Sequence, residues 1–129
     1  MGYEVLIVDD SMIIRSMVAK TLRMSGVDLG NLFFAANGQE GLEQLRSRPI
    51  DIVFADINMP VMDGVEMVNA MAAEGFLARI PVVIVSTERS TTRIEALKAK
   101  GVEAYLQKPF MPEQFKETVD RLLPGGEGK

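Results

Sequence analysis

Five short apolar runs recur along the chain, each followed by a stretch of helical periodicity, and this alternation restricts the fold more than any other feature. The runs are Val5 to Val8, Leu32 to Ala35, Ile50 to Ala55, Val82 to Val85 and Ala104 to Gln107. They are continuous rather than alternately apolar and polar, the pattern of strands covered by helices on both faces. In the first helical stretch Ser11 stands as N-cap, Ile14, Met17, Val18, Thr21 and Leu22 share a face, and Gly26 is the stop. Asn37-Gly38 precedes the second, which passes through Leu42 and Leu45 and ends before Pro49. The third turns Val65, Val68, Met71 and Ala72 inward and stops near Gly75. Ser90, Thr91 and Thr92 offer caps for the fourth, which turns Ile94 and Leu97 inward, carries Lys98 and Lys100 in its last turn and ends at Gly101. Pro112 opens the fifth, whose inner stripe is Phe115, Val119 and Leu122. Strand-helix alternation predicts an α/β fold with a doubly wound, five-stranded parallel sheet. The 129 residues suit one domain, with a core over 3–123 and a frayed tail over 124–129.

In such a sheet ligands bind outside the carboxyl ends of the strands, where the connecting loops diverge. Asp9 and Asp10 follow the first run, Asp56 the third, Ser86 the fourth, and Lys108 the fifth, directly before Pro109. Carboxylates brought together repel unless a cation joins them or one stays protonated. A divalent metal is therefore implied, and hard oxygen ligands without histidine or cysteine favour Mg²⁺. The competing reading makes each aspartate a helix cap and Lys108 a plain salt-bridge partner. Three carboxylates at strand ends facing one lysine favour a site. An aspartate can attack phosphorus to form an aspartyl phosphate, but residue types alone do not say which one would.

Composition removes several function classes. There is no cysteine, hence no disulfide framework or thiolate chemistry, which fits a cytoplasmic location. There is no histidine either, so any phosphohistidine in the chemistry must come from a partner. A net charge of -4 disfavours nucleic-acid binding. The start MGYEVLIVDD lacks a basic region ahead of a long apolar core, and no apolar run reaches membrane length, so neither export nor a membrane role is expected. With no DNA-binding segment after Leu123, output is expected through protein contact.

Four blocks carry a resemblance. Val8-Asp9-Asp10-Ser11, Asp56-Ile57-Asn58-Met59-Pro60 with Met62-Asp63-Gly64, Ser86 after its strand, and Tyr105-Leu106-Gln107-Lys108-Pro109-Phe110 occur in this order. From Tyr3 to about Leu123 the chain resembles the response-regulator receiver domains of two-component signalling, in particular the single-domain chemotaxis CheY-like type. The resemblance implies a flavodoxin-like (βα)5 fold with strand order 2-1-3-4-5. It further implies Asp56 as phosphoacceptor, with Mg²⁺ held by Asp9, Asp10, Asp56 and the backbone carbonyl of Asn58. Lys108 and Ser86 would meet the phosphoryl group, Ser86 and Tyr105 would form the switch, and the Lys108–Pro109 peptide would be cis. The implied partners are a histidine kinase as phosphodonor and a protein target on the face of helix four, strand five and helix five, the chain being a monomer. Chemotaxis is the leading role, with a phosphorelay intermediate or phosphate sink as alternative; the only catalysis would be self-phosphorylation and autodephosphorylation. Thr87 stands where the family usually has a small residue, which bears on the lifetime of the phosphorylated state.

Other readings have specific obstacles. A flavin-binding relative of the fold would cradle a phosphate in the first loop, here the repelling Asp9-Asp10-Ser11. A haloacid-dehalogenase-like phosphatase, a Mg²⁺-dependent enzyme of small molecules, would need its general acid at Asn58, which has no carboxylic proton. The nine methionines suit either an adaptable binding surface or core filling, and their inward helical spacing favours the core.

Overall fold

The computed structural model describes residues 2–87 and 91–123. The capping role of Ser90, the side chain of Thr91 and the tail 124–129 lie outside the described residues. The order is β1 (Tyr3–Val8), α1 (Met12–Ser25), β2 (Leu29–Ala35), α2 (Gly38–Ser47), β3 (Ile52–Ala55), α3 (Gly64–Ala73), β4 (Val82–Ser86), α4 (Thr91–Lys100), β5 (Ala104–Gln107) and α5 (Pro112–Leu122). All the strands are parallel, in the sheet order β2-β1-β3-β4-β5. This is the doubly wound arrangement expected from the sequence.

Side chains alternate across the sheet and fill two cores. Leu6 and Val8 of β1, Val53 and Ala55 of β3 and Ile84 of β4 pack beneath α2 and α3, against Leu42, Leu45, Met67, Val68 and Met71, with Leu97 of α4. Val5, Ile7, Ile52, Phe54, Val83 and Val85 face the other way, onto Val18, Ala19 and Leu22 of α1 and Phe115 and Val119 of α5. A strand buried on both faces needs apolar residues at every position, which is why these runs are continuous.

Several boundaries and faces differ from the sequence reading. β2 starts at Leu29 rather than Leu32, because Leu29 pairs with Tyr3 across a register shift, beside which the Glu4 carboxylate accepts from the backbone and side-chain amides of Asn31. β3 starts at Ile52, not Ile50. Ile50 is buried, but its N–H bonds back to the carbonyl of Arg48, and Asp51 ties the approach to Glu4 of β1 through both backbone and carboxylate. Helix α1 buries Val18, Ala19 and Leu22 while Met17 is half exposed, so the inward face is turned by roughly a quarter-turn from the expected stripe. Ala19 explains the shift: it adds little to a hydrophobic pattern, yet its small side chain lets α1 sit close on the sheet and α5. In α3 it is Met67, not Ala72, that faces inward.

Candidate functional site

Parallel registry delivers the site residues to one edge. Val8 of β1 pairs with Ala55 of β3, so Asp9 and Asp56 leave adjacent strands at the same level. The ladder runs past the strand ends: Asp56 donates its N–H to the carbonyl of Val8 at 3.0 Å, and Asp9 donates to Ala35 at 3.0 Å. On the other side Ser86 pairs with Gln107, and the N–H of Lys108 bonds the carbonyl of Ser86 at 2.9 Å. The Lys108–Pro109 peptide is cis.

The charged groups meet as the strand ends require. One carboxylate oxygen from each of Asp9, Asp10 and Asp56 lies within 4.8 Å of the others. The Lys108 ammonium stands 3.6 Å from Asp9 Oδ2 and 3.8 Å from Asp56 Oδ2, at ion-pair rather than hydrogen-bond range. Burial pushes the Asp9 carboxyl above its ordinary value, the nearby Asp56 and Asp10 push the same way, and the Ser11 N–H and Lys108 oppose them. Asp9 is nearly buried, Asp56 partly so, and Asp10 is exposed. Three carboxylates with one ammonium leave uncompensated negative charge in a partly buried space. A set of hard oxygen donors like this fits a hard divalent cation such as Mg²⁺.

Helix capping, the competing use of these aspartates, falls to other residues. Ser11 caps α1, Asn37 caps α2, and Asp63 caps α3 in a reciprocal box with Glu66. Of the motif acids only Asp63 is a cap. Asp9 Oδ1 instead takes the N–H of Ser11 at 2.9 Å, and Asp56 Oδ1 takes that of Ile57 at 2.7 Å. Gly64 allows α3 to start directly against the strand end, since a Cβ there would come within 2.4 Å of the Asp56 carbonyl oxygen. The loop between them holds Val61 at φ 67°, a costly position for a β-branched residue, and bonds α2 through the carbonyl of Met62 and the N–H of Gly38.

The remaining expected residues take defined places. Ser86 is buried at the end of β4, Tyr105 is half buried against the core beside α4, and Asn58 is exposed in the loop after Asp56. Thr87 lines a groove of about 430 Å³ with Lys108, Phe110 and, from α1, Ile14 and Met17. Phe110 meets Phe115 edge-on at 5.0 Å, and Phe115 contacts Phe54 at 5.2 Å, so an aromatic chain links the lysine loop to β3. The core reading of the methionines holds for Met67 and Met71, and for Met59 and Met62 at its margin. It fails for Met12, Met17, Met24 and Met111, which are 50% or more exposed, because they lie off the faces that meet the sheet. One residue escaped the sequence reading: Arg15 donates from Nη1 to the carbonyl of Asp9 at 2.7 Å. Its available signal was a cation in the first turn of a helix, where an acid is the favoured choice.

A doubly wound parallel domain with an acidic site at the carboxyl ends of its strands defines a class of ligand-binding α/β proteins. Comparison with known proteins narrows the class. Residues 5–120 match the response regulator receiver domain family. A chemotaxis protein CheY homolog of Campylobacter jejuni is 35% identical over 98% of this chain and 96% of its own length. The two-component response regulator ORR11 of Oryza sativa is 36% identical over 93% of this chain and 80% of its own. The solved structure of chemotaxis protein CheY4 of Vibrio cholerae superposes with a TM-score of 0.83 at 36% identity, covering 95% of this chain and all of that one. The chain belongs to the response regulator receiver family, and its role is two-component response regulation. Among the described residues no helix is long and apolar enough to cross a membrane.

Proposed function

We propose that this protein accepts a phosphoryl group from a histidine kinase onto Asp56, with Mg²⁺ at Asp9, Asp10, Asp56 and the Asn58 carbonyl, and passes the signal to a protein target in chemotaxis. The observation that carries the reading is the placement of the Lys108 ammonium between the carboxylates of Asp9 and Asp56. In the transfer an Asp56 oxygen forms the new P–O bond as the P–N bond of the donor's phosphohistidine breaks, and the imidazole nitrogen keeps the electron pair. Bound Mg²⁺ would supply charge neutralisation for the phosphoryl oxygens. Lys108 contributes a second positive charge, and the Ser86 hydroxyl a hydrogen bond to the transferred group. The names of the Campylobacter and Vibrio relatives favour chemotaxis. The rice regulator, at 36% identity, carries a name without chemotaxis and keeps the second reading, a phosphorelay intermediate or phosphate sink, in play.

The signal is read on the face of α4, β5 and α5 of a cytoplasmic monomer. Ser86 moves toward the phosphoryl group and Tyr105 turns into the space it leaves. Reversing a 1:99 balance of states takes about 5.5 kcal/mol of contacts found only in the active form, and Ser86 and Lys108 are their sources. Beryllofluoride with Mg²⁺ tests this without a kinase. NMR signals of the Tyr105 ring should shift in the parent and much less in Ser86→Ala, which should still be phosphorylated on Asp56. An equal Tyr105 response in both proteins would show that the coupling does not run through Ser86.

A further inference from the structure

We propose that Arg15 is a positioning residue for the carboxylate cluster, acting through the peptide that joins Asp9 to Asp10; the inference rests on the metal-binding part of the reading above. Arg15 stands in the first turn of α1, where a cation opposes the positive end of the helix dipole, and this helix has no acid there. A helix rule broken beside a site implies a gain elsewhere. The gain is the bond from Nη1 to the Asp9 carbonyl at 2.7 Å. Asp9 is thereby fixed at three points: its N–H on Ala35, its Oδ1 on the Ser11 N–H, and its carbonyl on Arg15.

Asp10 is different. It is exposed, and its carboxylate has no hydrogen-bond partner among the described residues. Its direction is set by the backbone leading into it, and Arg15 holds that peptide plane. The guanidinium also brings positive charge to a loop that places two acids side by side. An acid in this turn would suit the helix but add to the repulsion among Asp9, Asp10 and Asp56. Without the Arg15 bond the plane is free to rotate, and Asp10 must be ordered anew each time a cation binds.

The test is a Mg²⁺ titration of the whole chain, followed by the amide NMR signal of Asp10, in the parent, Arg15→Met and Arg15→Lys. Residues that orient metal ligands typically change affinity by about 10-fold to 100-fold, so Arg15→Met should bind Mg²⁺ at least about 10-fold more weakly. Arg15→Lys should stay within about threefold of the parent, because one ammonium donor can satisfy one carbonyl. With acetyl phosphate, Arg15→Met should need correspondingly more Mg²⁺ for half-maximal phosphorylation, yet reach the parent rate at saturation. Unchanged Mg²⁺ affinity in Arg15→Met, or equal weakness in Arg15→Lys, would overturn the proposal, as would a rate that saturating Mg²⁺ fails to restore. Should Arg15→Met fold poorly, Arg15→Leu, which likewise has no donor, is judged by the same affinity criterion. A parent whose Asp10 amide ignores Mg²⁺ would overturn the metal reading itself, whereas a responsive parent with an unaltered Arg15→Met removes only the role of Arg15.

Discussion

Among single residues, Asp9 bears most of the cost of assembling this site, because it is the most buried of the three clustered carboxylates. Desolvation raises its pKa above the ordinary 3.8, and Asp56 and Asp10 add to the rise. An acid whose folded pKa is raised binds its proton more tightly in the folded state. The stability it contributes is fully present below 3.8 and is lost as pH climbs through the folded value. Asp9→Asn removes that loss while keeping an oxygen for the Ser11 N–H. Metal-free Asp9→Asn should therefore be the more stable protein at neutral pH, and its advantage should shrink as pH falls toward 3.8. Urea denaturation of both proteins across that window checks the prediction, and an advantage independent of pH would contradict it.

Among the elements, the strand ends and the aromatic chain beneath them hold the site together. Phe115 of α5 lies between Phe110, two residues past Lys108, and Phe54, two residues before Asp56. Phe115→Ala should cost about 3–5 kcal/mol by leaving a cavity. It should also loosen the loop that presents Lys108. Denaturation midpoints measure the first effect, and a cost below about 1 kcal/mol would mean that the core closes over the gap. The central strands β1, β3 and β4 were legible because burial on both faces leaves almost no polar position to blur the run, whereas the edge strand β2 exposes Gly30 and Asn31 and its start was missed. Asp9, Asp10, Asp56, Ser86 and Lys108 were legible as polar residues at the edge of apolar ones. Met17 was misplaced because an alanine on the true inward face of α1 is nearly silent in a hydrophobic pattern. Arg15 was missed because its bond runs to a backbone carbonyl, so residue types mark only a cation near a helix start and not the partner that it holds.

For the whole molecule, the repulsion among Asp9, Asp10 and Asp56 sets fold stability against site assembly. A cation that binds only the folded state shifts this balance by mass action, by about 2.7 kcal/mol at a hundred times its dissociation constant. Mg²⁺ should raise the melting temperature of the parent accordingly. Asp10→Ala, which removes the exposed carboxylate and one of the repelling charges, should lose the response and start from an equal or higher metal-free melting temperature. Equal Mg²⁺ shifts in the two proteins would place the ion elsewhere. The central claim, that this site carries a phosphoryl group on one carboxylate, is reached most directly by intact-mass measurement after incubation with Mg²⁺ and acetyl phosphate. The parent should gain the mass of one phosphoryl group and Asp56→Asn none; a variant that still gains it, or a parent that never does, would contradict the assignment.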